Sequence, residues 1–178
     1  ELPNHQITAS PSIMITLLDT TLRDGEQTSG VSFAMQEKMA IARLLLEDLH
    51  VDRIEIASAT VSDGEFETVR NIARWANQQG YADRVEVLGF VDGTKSLEWV
   101  KNAGIKVMNL LCKGSHRHCT MQLGKKPDEH IADILAVVQT ANQWGIGINV
   151  YLEDWSNGMK NSPDYVFALV DALRSAPI

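Results

Sequence analysis

Residues 13–27 of the chain read IMITLLDTTLRDGEQ, and this stretch decides the fold prediction. Its first six residues form a short apolar run, which is typical of a strand that is buried on both faces of a parallel sheet. The nine residues that follow, 19–27, are dense in charge. Active sites of α/β folds lie at the carboxyl ends of the strands, so residues 19–27 become a candidate site.

The same alternation repeats outward along the chain. Four more strands are predicted by apolar runs at residues 53–57, 85–90, 106–111 and 148–152. Between them, apolar residues recur at helical spacing, as on the first helix at Met35, Met39, Ala42, Leu45 and Leu49. Ser62 with Glu65 has the form of a capping box, and Pro127 stands at a first helical position. This order predicts five βα units and hence an α/β fold with a parallel sheet.

Two architectures fit five βα units. One is an open, doubly wound sheet, and the other is the N-terminal part of a TIM (β/α)8 barrel, which needs about 250 residues when complete. The first strand lacks the G-x-G-x-x-G turn of dinucleotide-binding sheets, and residues 176–178 resemble a run-in to another strand. We therefore expect residues 13–178 to be a partial TIM-barrel catalytic domain without the last strands, after a disordered leader at residues 1–12.

Composition and charge exclude several classes of protein. The 178 residues are 44% hydrophobic with a net charge of −7, which is typical of a globular domain. A protein that binds nucleic-acid backbones should be basic, so no nucleic-acid partner is expected. The apolar runs are far shorter than the roughly 20 residues of a membrane span, so no membrane partner is expected. Two cysteines form no disulfide framework, and a cytoplasmic location is predicted.

Chemistry-bearing residues follow several of the predicted strands. Arg23 and Asp24 come after the first strand, His118 comes after the fourth, and Tyr151 and Glu153 lie at the end of the fifth. These groups suit a divalent metal bound by oxygen and imidazole ligands, with an arginine that stabilises an oxyanion. Arg23 with Glu153 is either a structural ion pair or a pair that orients a catalytic arginine, and both interpretations can hold.

Residues 112–119, CKGSHRHC, raise a second possibility. Two thiols and two imidazoles are the ligands of a zinc site, yet their spacing is not that of a zinc finger. A structural zinc site usually takes its ligands from two separate elements, so this interpretation is disfavoured. Cys112 is instead predicted to be a small apolar core residue, and His50 and His130 are predicted to lie at the surface.

At this point residues 19–27, DTTLRDGEQ, resemble the first-strand signature of the acyl-CoA condensing synthases, which make 2-isopropylmalate, homocitrate and citramalate. These enzymes belong with the HMG-CoA lyase-like, metal-dependent TIM barrels. The similarity covers essentially residues 13–178 and is closest to the citramalate synthases; it continues at residues 53–58, 88–93, 115–118 and 151–158. It implies that acetyl-CoA condenses with a 2-oxo acid held by a divalent metal (Mg, Mn or Zn), followed by thioester hydrolysis.

The resemblance also implies roles for individual residues. Asp24 corresponds to the first-strand metal ligand, and Arg23 to the arginine that contacts the keto oxygen. Glu153 corresponds to the catalytic glutamate of the fifth strand and is expected to pair with Arg23 or orient it. The positions implied to bind the oxo acid are Leu88, Leu111, Tyr151 and, at the end of a Ser-x-x-His pattern, His118.

One part of the family pattern is not found in its usual place. The family's two metal-binding histidines form a His-x-His on a later strand, whereas His116 and His118 follow the fourth strand. They are therefore not assigned as the metal pair, which is expected beyond Ile178. With Asp24 as the sole assigned ligand, residues 1–178 alone are expected to be inactive. The resemblance further implies a homodimer of the full-length chain.

The choice of oxo acid depends on pocket volume. Isopropylmalate synthases usually have a serine where this chain has Tyr151, and a tyrosine beside Leu88 and Leu111 should leave room for a methyl group only. Pyruvate, which gives citramalate, is therefore favoured, and 2-isopropylmalate synthesis from 2-oxoisovalerate is the alternative. An HMG-CoA lyase-like enzyme is disfavoured by the signature, and a non-catalytic scaffold by the charges at the strand ends.

Overall fold

The computed structural model describes residues 15–178, so the predicted leader at residues 1–12 lies outside the described residues. Five parallel strands form one sheet in the order β1-β2-β3-β4-β5. They are β1 (Leu18–Asp19), β2 (Arg53–Ser58), β3 (Val85–Phe90), β4 (Val107–Lys113) and β5 (Gly147–Glu153). A doubly wound sheet reverses its strand order at a switch point, whereas sequential order is that of a barrel. The α/β prediction and the barrel alternative are confirmed.

The described residues contain six α-helices, of which the first four connect the strands and the last two follow β5. They are α1 (Met35–Arg43), α2 (Asp63–Gln79), α3 (Lys95–Ala103), α4 (Pro127–Gln143), α5 (Trp155–Asn161) and α6 (Pro163–Leu173). A wider π-helical turn at Leu44–Asp48 continues α1. The predicted helix starts are confirmed, since the Ser62 hydroxyl accepts a hydrogen bond from the Glu65 N–H and Pro127 occupies the first turn of α4. Within residues 15–178, the structure contains no helix both long and apolar enough to cross a membrane.

The two faces of the sheet differ in chemistry. The helix-covered face is apolar and fully buried, as Ile54, Ile56, Val87, Met108 and Leu110 show. The inner face carries polar residues at alternate positions of the same strands, because successive side chains point to opposite faces. The register pairs Asn109 with Asn149 and Lys113 with Glu153. The inner face is therefore the face that can bind polar ligands.

The first strand is shorter than predicted. It has two residues, and Ile15 and Leu17 are 78% and 59% exposed, whereas the sequence predicts a buried run. In the described sheet β1 pairs with β2 alone, so its other edge has no strand partner among residues 15–178.

Two helical predictions are also corrected. Met35 at the start of α1 and Leu49 after the π-helical turn are exposed, whereas Lys38 on α1 is buried because it pairs with two carboxylates. His130 is 1% exposed rather than at the surface, since its Nε2 accepts a hydrogen bond from the Lys113 backbone N–H at 3.1 Å.

Candidate active site

A tight turn after β1 presents the charged residues of the signature. The carbonyl oxygen of Thr20 accepts hydrogen bonds from the backbone N–H groups of Arg23 and Asp24, at 3.1 and 2.8 Å. The Asp19 carboxylate accepts from the Thr21 N–H at 2.9 Å, so its observed bonds are local to the turn. A short 3-10 helix, Gly25–Gln27, follows at once. The chain thus reverses within a few residues and brings Arg23 beside β2.

Arg23 is held by a buried carboxylate on the neighbouring strand. Its Nε donates a hydrogen bond to Oε2 of Glu55, and its Nη1 lies 2.7 Å from Oδ1 of Asp24. Glu55 is fully buried, and its second oxygen accepts from Nδ2 of Asn109 at 2.6 Å. A guanidinium has five N–H donors, so this arrangement fixes its plane and leaves donors for a further acceptor.

The expected pairing of Arg23 with Glu153 is wrong. Glu153 pairs with Nζ of Lys113, since the register places these two residues side by side on β5 and β4. Arg23 sits at the other side of the sheet, where Glu55 is the nearer carboxylate. Glu55 was missed because it lies inside an apolar strand, between Ile54 and Ile56. A carboxylate at an alternate position of such a strand is the signal that identifies it.

The three predicted pocket residues of the strands share the inner face with Arg23 and Glu55. Leu88 is 5% exposed and pairs in register with Asn109, and Leu111 pairs with Tyr151. Burial raises the pKa of the Tyr151 hydroxyl to about 12, and the charges of Glu55 and Glu86 add to the rise. Tyr151 is therefore a neutral phenol near pH 7, and it lies on the same face of the sheet as Glu55.

His118 belongs to a second cluster on the rim. Its Nε2 lies 3.5 Å from Oδ2 of Asp154, and the same oxygen accepts a hydrogen bond from the Ser115 hydroxyl at 2.7 Å. Hydrogen bonds from Asn157 and Ser115 lower the pKa of Asp154, which therefore stays ionised. The cluster lines a cavity of about 440 Å³. No hydrogen bond joins His118 to Arg23 within residues 15–178, so these two predicted residues lie in separate clusters.

Two glycines let the rim elements approach closely. The Gly114 N–H donates to the Glu153 carbonyl at 2.7 Å. A Cβ atom at Gly158 would lie 2.1 Å from the carbonyl oxygen of Gly114, so only glycine fits there. Asp154, just before α5, has a φ of 65°, a left-handed conformation that aspartate tolerates better than most residues. The loop that carries Ser115 and His118 is thereby fixed against α5.

Asp24, the predicted metal ligand, presents an exposed carboxylate. Its side chain is 60% exposed at the end of β1, and a carboxylate oxygen is a ligand that hard divalent cations prefer. Within residues 15–178, no group of three or more His, Cys, Asp or Glu side chains is arranged to hold a metal ion. Asp24 therefore fits one position of a coordination shell, and residues 15–178 do not complete that shell.

The zinc interpretation of residues 112–119 is not supported by the structure. Cys112 and Cys119 are buried free thiols. Burial raises the pKa of Cys112 to about 12, so the thiolate that binds metal is disfavoured. Cys112 packs in the core, as predicted.

Comparison with known proteins places this barrel segment in a family. Residues 14–177 match the HMGL-like family, and the chain belongs to it. The family resemblance drawn from the sequence is confirmed.

Individual relatives refine the comparison. A probable 2-isopropylmalate synthase of Ignicoccus hospitalis is 30% identical over 162 residues, which are 91% of this chain and 38% of the relative. A putative (R)-citramalate synthase of Methanopyrus kandleri is 30% identical over 168 residues, which are 94% of this chain and 31% of the relative. The chain thus spans about a third of the length of these curated relatives.

A solved structure shows the same fold. An HMG-CoA lyase from Acinetobacter baumannii superposes with a TM-score of 0.65 at 19% identity, covering 94% of this chain and 55% of that chain. The half-barrel therefore matches about half of a lyase barrel, which confirms the predicted N-terminal part of a TIM barrel.

Proposed function

We propose that this chain carries the oxo-acid-binding part of a synthase that condenses acetyl-CoA with a 2-oxo acid and hydrolyses the thioester. The observation that carries the proposal is Arg23, fixed by buried Glu55 on the face that also bears Leu88 and Tyr151. The curated relatives at about 30% identity, which are named as synthases of this kind, support it. Acetyl-CoA and the oxo acid are its small-molecule partners, and the whole protein is proposed to be a homodimer.

Arg23 is proposed to be the electrostatic catalyst. A base first removes a methyl proton of acetyl-CoA, and the enolate carbon that results bonds to the keto carbon. The electron pair of the keto C=O bond then moves to oxygen and leaves an alkoxide. A guanidinium never loses its charge at working pH, and a donor fixed in advance stabilises such an oxyanion without reorganisation. Glu55 supplies that fixation, because it accepts the Arg23 Nε–H from a fully buried position.

Asp24 is proposed to hold a divalent cation (Mg, Mn or Zn) next to Arg23. Such a cation would act as a Lewis acid on the keto group. The exposed carboxylate of Asp24 supports this role. Its ion pair with Arg23 would bring the cation and the guanidinium close to the same keto group. Because residues 15–178 supply no group of three ligands, we expect residues 1–178 alone to lack turnover.

Glu153 and His118 are proposed to act from the rim. Glu153 is 41% exposed at the end of β5 and pairs with Lys113, so a substrate can reach its carboxylate. Glu153 is therefore proposed to be the catalytic glutamate, paired with Lys113 and without a role in orienting Arg23. His118 is 23% exposed beside Asp154 and is proposed to contact the oxo acid.

The proposed oxo acid is pyruvate. Tyr151 stands next to Leu111 in register, and both lie on the inner face with Leu88. A pocket of two leucines and a tyrosine accepts a methyl group and crowds an isopropyl group. The second candidate, 2-oxoisovalerate, is favoured by the relatives that are named 2-isopropylmalate synthases.

The experiment measures release of the CoA thiol by the whole protein that contains this chain, with Mg²⁺ or Mn²⁺ and a panel of 2-oxo acids. Products are identified by mass spectrometry. Thiol release with pyruvate and formation of citramalate are expected. Release with 2-oxoisovalerate alone would overturn the pocket argument. Cleavage of 3-hydroxy-3-methylglutaryl-CoA without any condensation would overturn the proposed reaction.

A further inference from the structure

A line of three hydrogen bonds, buried at its centre, crosses the inner face of the sheet. Glu55 accepts from Arg23 on one side and from Nδ2 of Asn109 on the other. Oδ1 of Asn109 in turn accepts from Nδ2 of Asn149 at 2.8 Å. The line therefore connects the β1 turn, β2, β4 and β5.

Chemistry fixes the direction of every bond in this line. A carboxylate only accepts hydrogen bonds, so Asn109 must turn its NH₂ group toward Glu55 and its oxygen toward Asn149. Asn109 and Glu55 are both fully buried, so water does not replace a lost partner. A buried acceptor without a donor is costly, so the Glu55 carboxylate would move toward another donor if Asn109 were removed.

We propose that Asn109 and Asn149 are positioning residues for Arg23, acting through Glu55. Neither asparagine is hydrogen-bonded to Arg23, yet both restrict the position of the Glu55 carboxylate, which orients the guanidinium. The inference rests on the proposed function for its kinetic consequence, while its structural consequence is independent of turnover. A displacement of about 1 Å in a catalytic group is enough to reduce a rate by about 100-fold.

The first test follows the Arg23 Nε–H by NMR in the whole protein, labelled with ¹⁵N-arginine. The signal is identified by its loss in Arg23→Lys. In Asn109→Leu we expect this signal to shift and to exchange faster with solvent. Cys112→Ala is the matched control, because it lowers packing on the other face of the same strand and should leave the signal unchanged. An unchanged Arg23 signal in Asn109→Leu overturns the inference.

The second test is kinetic and uses a variant that keeps the shape of the side chain. Asn109→Asp places a second carboxylate against Glu55, and two carboxylates at such a distance share one proton. At low pH the shared proton preserves the line. As pH rises the proton leaves, two buried negative charges face each other, and Arg23 loses its orientation.

We therefore expect kcat of Asn109→Asp to fall about 10- to 100-fold as pH rises, with KM for acetyl-CoA unchanged. Wild type should not show this fall. An equal pH profile in both proteins overturns the inference. If the NMR signal responds but the wild type has no synthase activity, the proposed function fails and the positioning role stands.

Discussion

Replacing Lys38 by methionine should strongly destabilise the protein. Lys38 is 1% exposed, and its Nζ lies 2.6 Å from Oε2 of Glu26 and 2.5 Å from Oε1 of Glu65. Glu26 belongs to the turn that carries Arg23, and Glu65 lies in the first turn of α2. The Lys38 ammonium, on α1, therefore connects the segment after β1 that contains Glu26 with the start of α2.

The magnitude follows from burial. Removing one partner of a buried ion pair costs about 3–5 kcal/mol, because it leaves an uncompensated charge. Methionine keeps most of the volume of the lysine stem, so the loss of packing is small. We expect Lys38→Met to lower the free energy of unfolding by about 3–5 kcal/mol at pH 7.

The destabilisation caused by Lys38→Met should be smaller at low pH than at pH 7. Burial raises the pKa of Glu26, but hydrogen bonds from Lys38 and from the Phe33 N–H, with the charge of Lys38, outweigh burial, and the pKa falls below its ordinary 4.5. A carboxyl with a lowered folded-state pKa stabilises above its unfolded pKa, and this stabilisation is lost as pH falls through the folded value. Without Lys38, Glu26 is expected to take up a proton at higher pH. The difference in the free energy of unfolding between wild type and Lys38→Met should therefore become smaller as pH falls.

Urea unfolding followed by circular dichroism at pH 7 and at about pH 3.5, which is below the ordinary glutamate pKa of 4.5, measures both effects. Lys106→Met is the matched control, because Lys106 is half exposed and lies 3.9 Å from the exposed Asp83. A surface pair of this kind contributes about 0–1 kcal/mol. The reasoning is refuted if Lys38→Met and Lys106→Met are equally stable at pH 7, or if the difference between wild type and Lys38→Met is the same at the two pH values.

Two further substitutions test the pocket and the rim. Tyr151→Ser should shift the preference from pyruvate toward 2-oxoisovalerate by about 10- to 200-fold in kcat/KM, measured by thiol release, and an unchanged preference contradicts the pocket argument. Gly158→Ala should destabilise by at least about 1–3 kcal/mol, because its Cβ would lie 2.1 Å from the Gly114 carbonyl oxygen. Thermal unfolding measures it against Gly64→Ala, whose Cβ meets nothing nearer than 4.0 Å. Equal melting temperatures for the two variants would contradict this prediction, because they would show that the backbone near Gly114 moves to accommodate the added methyl group.

Local chemistry explains which parts of the fold were predictable. The helix starts at Ser62 and Pro127 depend on capping and backbone conformation, which single residues determine. The helix α5 was missed, because residues 155–161 are short and polar and contain a glycine. It depends instead on Asp154 and on contact with Gly114, which are tertiary features.

In the candidate site, too, some features were predicted from the sequence and others were not. The inner-face positions of Leu88, Leu111 and Tyr151 follow from strand alternation together with the family pattern. The wrong partner was predicted for Arg23, because the family pattern indicated Glu153, whereas Glu55 lies on β2, the strand that pairs with β1. Pairing across a sheet is set by register and strand order, and neither is visible in one stretch of sequence.

The most direct test of the central claim compares thiol release by the wild-type whole protein and by Arg23→Met, with acetyl-CoA, pyruvate and Mg²⁺. Arg74→Met, on the exposed side of α2, is the control. We predict that kcat falls about 10²- to 10³-fold in Arg23→Met and is unchanged in Arg74→Met, since Arg23 supplies a fixed donor to the developing oxyanion. A kcat for Arg23→Met equal to that of wild type would contradict the account.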